Sequence, residues 1–196
     1  VDEDTIHTLI DHIRTFAPSY VVASGSLPPG LPDYFYGLIV KTATAVGAKC
    51  IVDTSGPALE ALKGKHAYLI KPNIGELRQL LKISTLEENE VPDAAQQVIA
   101  DGYGEIAAVS MGPKGAWLVT KDEKHFAPAP DVPKRSTVGA GDSMVAGITF
   151  MLEHNHSLKE AIAFGVACGS AATMNEGTQL FKKDDATRLY QQILSS

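Results

Sequence analysis

The chain has 196 residues, 44% hydrophobic and 20% charged, a composition that sustains a packed globular core. A formal net charge of −6 with no basic stripe argues against nucleic acid or an anionic membrane surface as partner, so any anionic ligand must be held locally, by backbone amides, a helix end or a few cations. No apolar run reaches the ~20 residues of a membrane-spanning helix, no signal-peptide pattern opens the chain, and the two distant cysteines, Cys50 and Cys168, read as free buried thiols in a reducing, cytoplasmic compartment.

An amphipathic helix comes first, with Ile6, Leu9, Ile10 and Ile13 at helical spacing. Tyr20-Val21-Val22-Ala23-Ser24 follows, a short apolar run closed by Gly25, Pro28, Pro29 and Gly30, which suits a buried parallel strand. Next come a helix over 34–46, a strand over 49–53 ending in Thr54-Ser55-Gly56-Pro57, a helix over 58–62 and a strand over 67–71 ending in Pro72-Asn73. Helical patterns cover 76–81 and 94–100, and a fourth strand over 106–110 closes on Gly112-Pro113-Lys114-Gly115. This alternation predicts an α/β fold with a mostly parallel sheet flanked by helices on both faces. Beyond Gly115 the rhythm changes to a hairpin, 116–120 and 125–129 around Lys121-Asp122-Glu123-Lys124. Helices over 140–152, 158–174 and 184–194 complete the chain. No repeat, low-complexity tract or linker interrupts it, which predicts one continuous domain over residues 1–196.

Open parallel sheets bind ligands beyond the carboxyl ends of their strands. Ser24, Ser26, Asp53, Thr54, Ser55, Lys71, Asn73 and Ser110 gather at those ends. Any one of them is ordinary strand-exit chemistry; together they mark a site. The sharpest signal is Ser136-Thr137-Val138-Gly139-Ala140-Gly141-Asp142-Ser143, running straight into the apolar helix over 144–152. Its glycines let the backbone turn tightly and approach a ligand closely. The helix start behind them offers unpaired amides and the positive end of the dipole. An ionised Asp142 in that first turn can accept a hydrogen bond from a hydroxyl group about to be phosphorylated. The bland alternative is a glycine turn with Asp142 as a helix-start residue. Other phosphate motifs are absent: there is no G-x-x-x-x-G-K-[ST], and Met144 stands where the third glycine of G-x-G-x-x-G belongs.

The remaining polar clusters read as structural. His154 and His156 belong to a polar turn, Glu87, Glu88 and Glu90 to a solvated loop, and Trp117 to core packing. Asp184-Asp185 starts the last helix.

Residues 137–142 resemble the G-A-G-D signature of the ribokinase-like sugar kinases, and other elements follow in matching order. These are Ser24-Gly25-Ser26-Leu27-Pro28-Pro29-Gly30, Val52-Asp53-Thr54-Ser55-Gly56, Lys71-Pro72-Asn73 with Glu76-Leu77, and Val109-Ser110 with Gly112 and Gly115-Ala116. The pairing of S-G-S-L-P-P-G with K-P-N-x-x-E-L is similar to the phosphofructokinase B branch, and the tail from Gly165 to Thr178 to the 6-phosphofructokinases of that branch.

The resemblance implies a ribokinase-like fold and ATP-dependent phosphorylation of fructose 6-phosphate to fructose 1,6-bisphosphate, a glycolytic step. It implies Asp142 as the base, and Gly139, Ala140 and Gly141 as the anion hole for the transferred phosphoryl group. Asn73 and Glu76 match the element that organises magnesium through water, with Lys71 beside it. Ser110, Gly112, Gly115, Val166 and Ser170, together with Ser136 and Val138, match nucleotide contacts, and Ser26 a sugar-phosphate contact. Ser136, Val138, Ala172, Asn175 and Gly177 fall where relatives bind a monovalent cation such as potassium. The chain departs from related 6-phosphofructokinases at Gly75, where a Lys is frequent, and at Gln179, where an Arg is. It also has no counterpart of the amino-terminal part that supplies the sugar-binding residues and the lid. The expectation is therefore a fragment, inactive alone, of an enzyme that dimerises through that lid. Two alternatives stay open: the same chemistry on another sugar phosphate (1-phosphofructokinase or tagatose-6-phosphate kinase), and a nucleotide-binding module without catalysis.

Overall fold

The computed structural model describes residues 3–195, whose packing separates into two compact units. One holds the chain up to residue 109 together with 119–122; the other holds 110–118 and 123 onward.

The first unit runs α1 (Glu3–Phe16), β1 (Tyr20–Ser24), α2 (Phe35–Ala45), β2 (Lys49–Asp53), α3 (Gly56–Glu60), β3 (Ala67–Ile70), α4 (Ile74–Leu81), α5 (Val91–Ala100) and β4 (Gly104–Ser110), whose last residue opens the second unit. Its strands are parallel neighbours in chain order, with Ser24 level with Asp53, Val52 with Ile70, and Ile70 with Ala107. Cys50, Ile51 and Val52 are buried in succession, although alternate residues point to opposite faces. Both faces of β2 are therefore covered, as a parallel sheet requires. The cover comes from helices with a 3.6-residue apolar period; α5, for example, buries Val91, Ala94, Ala95 and Val98. β1 is different: Val22 is exposed and the strand pairs on one side only among the described residues.

α3 and α5 begin at Gly56 and Val91, earlier than the 58 and 94 that the sequence pattern predicts, because Pro57 and Pro92 sit inside the first turn, where a missing N–H costs nothing. The stretch 87–90 is not an open loop either. Glu87 N–H donates to the Glu90 carboxylate at 2.8 Å, capping a short 3₁₀ turn that leads into α5.

The second unit holds β5 (Gly115–Val119) but for its last residue, β6 (Lys124–Pro128), α6 (Ala140–Glu153), α7 (Leu158–Thr173) and α8 (Lys183–Leu194). Trp117 is half-buried against Phe126, ring centres 5.1 Å apart. The fit of α6 against α7 rests on absent side chains. A Cβ on Gly147 would lie 2.9 Å from Cys168 Sγ, and one on Gly165 would lie 2.5 Å from Ile148 Cγ1. Ser157 caps α7, its Oγ accepting from Glu160 N–H at 3.3 Å, while Asp184 and Asp185 start α8. Both cysteines are free and buried, and burial pushes each thiol up to about 12. Among the described residues, no helix is long and apolar enough to cross a membrane.

Candidate active site

The parallel register of the first unit gathers polar residues at the strand ends. With Val52 level with Ile70, Asp53 and Lys71 come side by side, and Lys71 Nζ reaches Asp53 Oδ1 at 3.2 Å. Both side chains are largely buried, at 10% and 17% exposure, so water screens the pair little. The turn after β1 is tied to the same region. Gly25, with φ of +103°, donates its N–H to Asp53 O at 2.9 Å. Its own carbonyl accepts from Tyr36 Oη at 2.9 Å and Thr54 Oγ1 at 2.8 Å. Burial raises the Tyr36 phenol above its ordinary value, the hydrogen bond with Thr54 opposes this, and the Asp53 charge adds to it, so the phenol stays a donor at neutral pH. Ser26 follows on the exposed side of this turn.

Asn73 and Glu76 open α4. Asn73 Oδ1 accepts from Glu76 N–H at 2.9 Å, and Glu76 Oε2 accepts from Asn73 N–H at 2.8 Å. The N-x-x-E spacing is thus a reciprocal cap that satisfies two orphan amides. One Glu76 oxygen is committed to it.

The second unit contains a cavity of about 390 Å³ against the first turn of α6, within the ~300–1,000 Å³ of small-molecule sites. Ala140, Gly141 and Met144 form its α6 side, and Val166, Gly169, Ser170 and Thr173 its α7 side. Ser110, Gly112, Pro113 and Gly115 close one edge, and the stretch 129–134 another. Two glycines are sterically required here. A Cβ on Gly115 would collide with Ala127 O, and one on Gly169 would sit 3.0 Å from Ala140 O.

Gly139 is the residue before α6, left-handed at φ of +76° and with no side-chain cap. The Ala140 amide donates to Thr137 O at 3.3 Å, a long bond that an incoming oxygen can displace. Asp142 lies in the first turn, exposed.

Of the residues matched to a cation site, Ser136 and Gly177 meet, Ser136 Oγ donating to Gly177 O at 2.8 Å and accepting from Val138 N–H at 3.2 Å. Asn175 Nδ2 donates to Ala171 O and Leu180 O, and Ala172, buried, accepts from Asn175 N–H at 3.2 Å. The anticipated residues Ser110, Gly112, Gly115, Val166 and Ser170 all line the cavity. Asp131 and Lys134 line it too and had not been anticipated, since 128–134 carries no periodic pattern. Its three prolines were the available signal of a stiff segment.

The family model described as pfkB family carbohydrate kinase matches residues 5–185. The chain belongs to this family. It is 40% identical over 192 residues, 97% of its length, to the ATP-dependent 6-phosphofructokinase isozyme 2 of Escherichia coli. It is 36% identical over 169 residues, 84% of its length, to the 1-phosphofructokinase of Rhodobacter capsulatus. The chain spans 62% of the first relative and 53% of the second. The crystal structure of Escherichia coli phosphofructokinase-2 in complex with potassium superimposes with a TM-score of 0.92 at 39% identity, covering 99% of this chain and 63% of that one. The fold is ribokinase-like, as the order of motifs implied.

Proposed function

We propose that this chain is the nucleotide-binding portion of a kinase that phosphorylates fructose 6-phosphate with ATP, Asp142 acting as the base. One observation carries the reading. The cavity against α6 takes Ala140 and Gly141 as part of its wall, and Asp142 is the next residue on that turn. A nucleotide with its base between α7 and the 110–115 edge directs its phosphates at the start of α6. The sugar hydroxyl then gives its proton to the Asp142 carboxylate as its oxygen bonds to the γ-phosphorus. The bond from that phosphorus to the bridging oxygen breaks, and ADP leaves with the electron pair. Charge spread over the equatorial oxygens meets the amides of 139–141 and the positive helix end.

Magnesium fits the donor set: Glu76 keeps one carboxylate oxygen outside its cap, and this ion takes one or two carboxylates plus water and substrate phosphates. When bound it would neutralise phosphate charge, with Asn73, Glu76 and Lys71 as the neighbouring residues. A monovalent cation near Ser136, Ala172, Asn175 and Gly177 is part of the proposal, as are a cytoplasmic home, suited to the free thiols, and dimerisation of the complete enzyme.

The 36% identity to a 1-phosphofructokinase supports a second reading, the same transfer to a different sugar phosphate. Isothermal titration with Mg-ATP and with fructose 6-phosphate tests the core of the proposal. Nucleotide should bind more tightly than sugar, and the 196-residue chain alone should turn over slowly or not at all. Tighter sugar than nucleotide binding, or full specific activity, would overturn this assignment.

A further inference from the structure

The cavity against α6 presents two charged side chains to which the proposed reaction gives no task, Asp131 and Lys134 on the stretch 129–134. Among the described residues neither forms an ion pair or a side-chain hydrogen bond. Pro130 and Pro133 restrict the backbone around them, so both charges are presented from a stiff segment. The rest of the lining divides by chemistry. Pro113, Val132, Met144 and Val166 make an apolar slot suited to a flat heterocycle, whereas Ala140 and Gly141 bring the positive end of α6 to the same space. Lys134 is the cation among the lining residues, in a chain whose net charge of −6 otherwise repels anions.

We propose that Lys134 is a polyphosphate clamp. Its ammonium pairs with the α- and β-phosphates of a nucleoside di- or triphosphate in this cavity, and so sets the preference for phosphorylated nucleotides over the bare nucleoside. The inference rests on the nucleotide-binding reading of the same cavity. Asp131 works against the clamp, because a carboxylate in the same lining repels those phosphates. The two charges together limit how tightly the product ADP is retained.

Lys134 is exposed, so solvent screens the pair, and the effect is bounded by what exposed, charge-assisted contacts deliver. The test is isothermal titration of the whole chain with ADP and with adenosine, at low and high salt, for the parent, Lys134→Gln, Lys134→Arg and Asp131→Asn. Lys134→Gln should weaken ADP about three- to tenfold at low salt and leave adenosine within about twofold. The gap should narrow as salt rises. Lys134→Arg should keep the preference, and Asp131→Asn should tighten ADP without affecting adenosine. If Lys134→Gln weakens adenosine as much as ADP, or neither, the clamp is rejected while the nucleotide site stands. If the parent binds neither ligand, the nucleotide reading falls and the clamp falls with it.

Discussion

Two helices, one in each unit, begin in opposite ways. At the start of α4 the chain satisfies itself, with Asn73 and Glu76 each capping the other's amide. At the start of α6 a left-handed glycine stands where the cap belongs, no side chain caps it, and small residues follow. The difference separates two motifs that look equally functional in the sequence. The N-x-x-E spacing has a complete explanation in helix capping, so its presence alone says little about ligands. The G-A-G-D turn has no such explanation, and a cavity lies against it.

The strongest way to break the comparison is Asp142→Asn in a catalytically active form of the protein. Asparagine is nearly isosteric and suits a helix start, but it cannot take the proton of the attacking hydroxyl. We expect kcat to fall about 10²–10⁴-fold with the thermal midpoint unchanged. A rate within about threefold of the parent at equal stability would make α6 as self-contained as α4.

Lys71→Met should come next. It leaves the Asp53 carboxylate, 17% exposed, without its cation, and should cost about 3 kcal/mol in urea unfolding with an unchanged m-value. A loss below about 0.5 kcal/mol would mean that Lys71 serves a ligand rather than the strand ends.

Asn73→Ala should cost about 1 kcal/mol, the ordinary worth of a cap. Combined with Glu76→Ala, the double variant should lose less than the sum, because the two hydrogen bonds form one reciprocal unit. Strict additivity would show that the cap is not cooperative.

The smallest effect sharpens what the two units share. Cys50 and Cys168, one in each, have thiols pushed up to about 12 by burial, so at pH 8 they should react with a disulfide reagent only at the rate of unfolding. Above about pH 8.5 the unfolded chain releases thiol protons that the native chain keeps. Stability should therefore fall as pH rises from there toward 12, the folded value. A fast reaction of either thiol in the native protein would contradict its burial.

Much of this was legible because the punctuation is local. β2 was read at its observed limits, since Gly47 precedes it and Thr54-Ser55-Gly56 ends it. The cavity was half legible, as glycines and serines at strand ends announce a close backbone approach. Lys134 was not, because a charged residue in an aperiodic loop reads as ordinary solvent-facing charge, and only the fold sets this exposed residue along the cavity. The Asp53–Lys71 pair was hidden for a different reason: it depends on strand register, which couples residues distant in the chain.

The methyl-free seam between α6 and α7 divides the labour of binding. Two helices in contact at Gly147 and Gly165 cannot separate without losing close packing, so they form one hard wall. On the opposite boundary Pro130 and Pro133 stiffen 129–134, and the part that can yield is the turn at 110–115, where Gly112 takes a left-handed backbone. Arrival and departure of a ligand then follow the yielding side, while the shape it must match is cut by the hard one. Substitutions along the seam should alter selectivity, and substitutions in that turn should alter residence time.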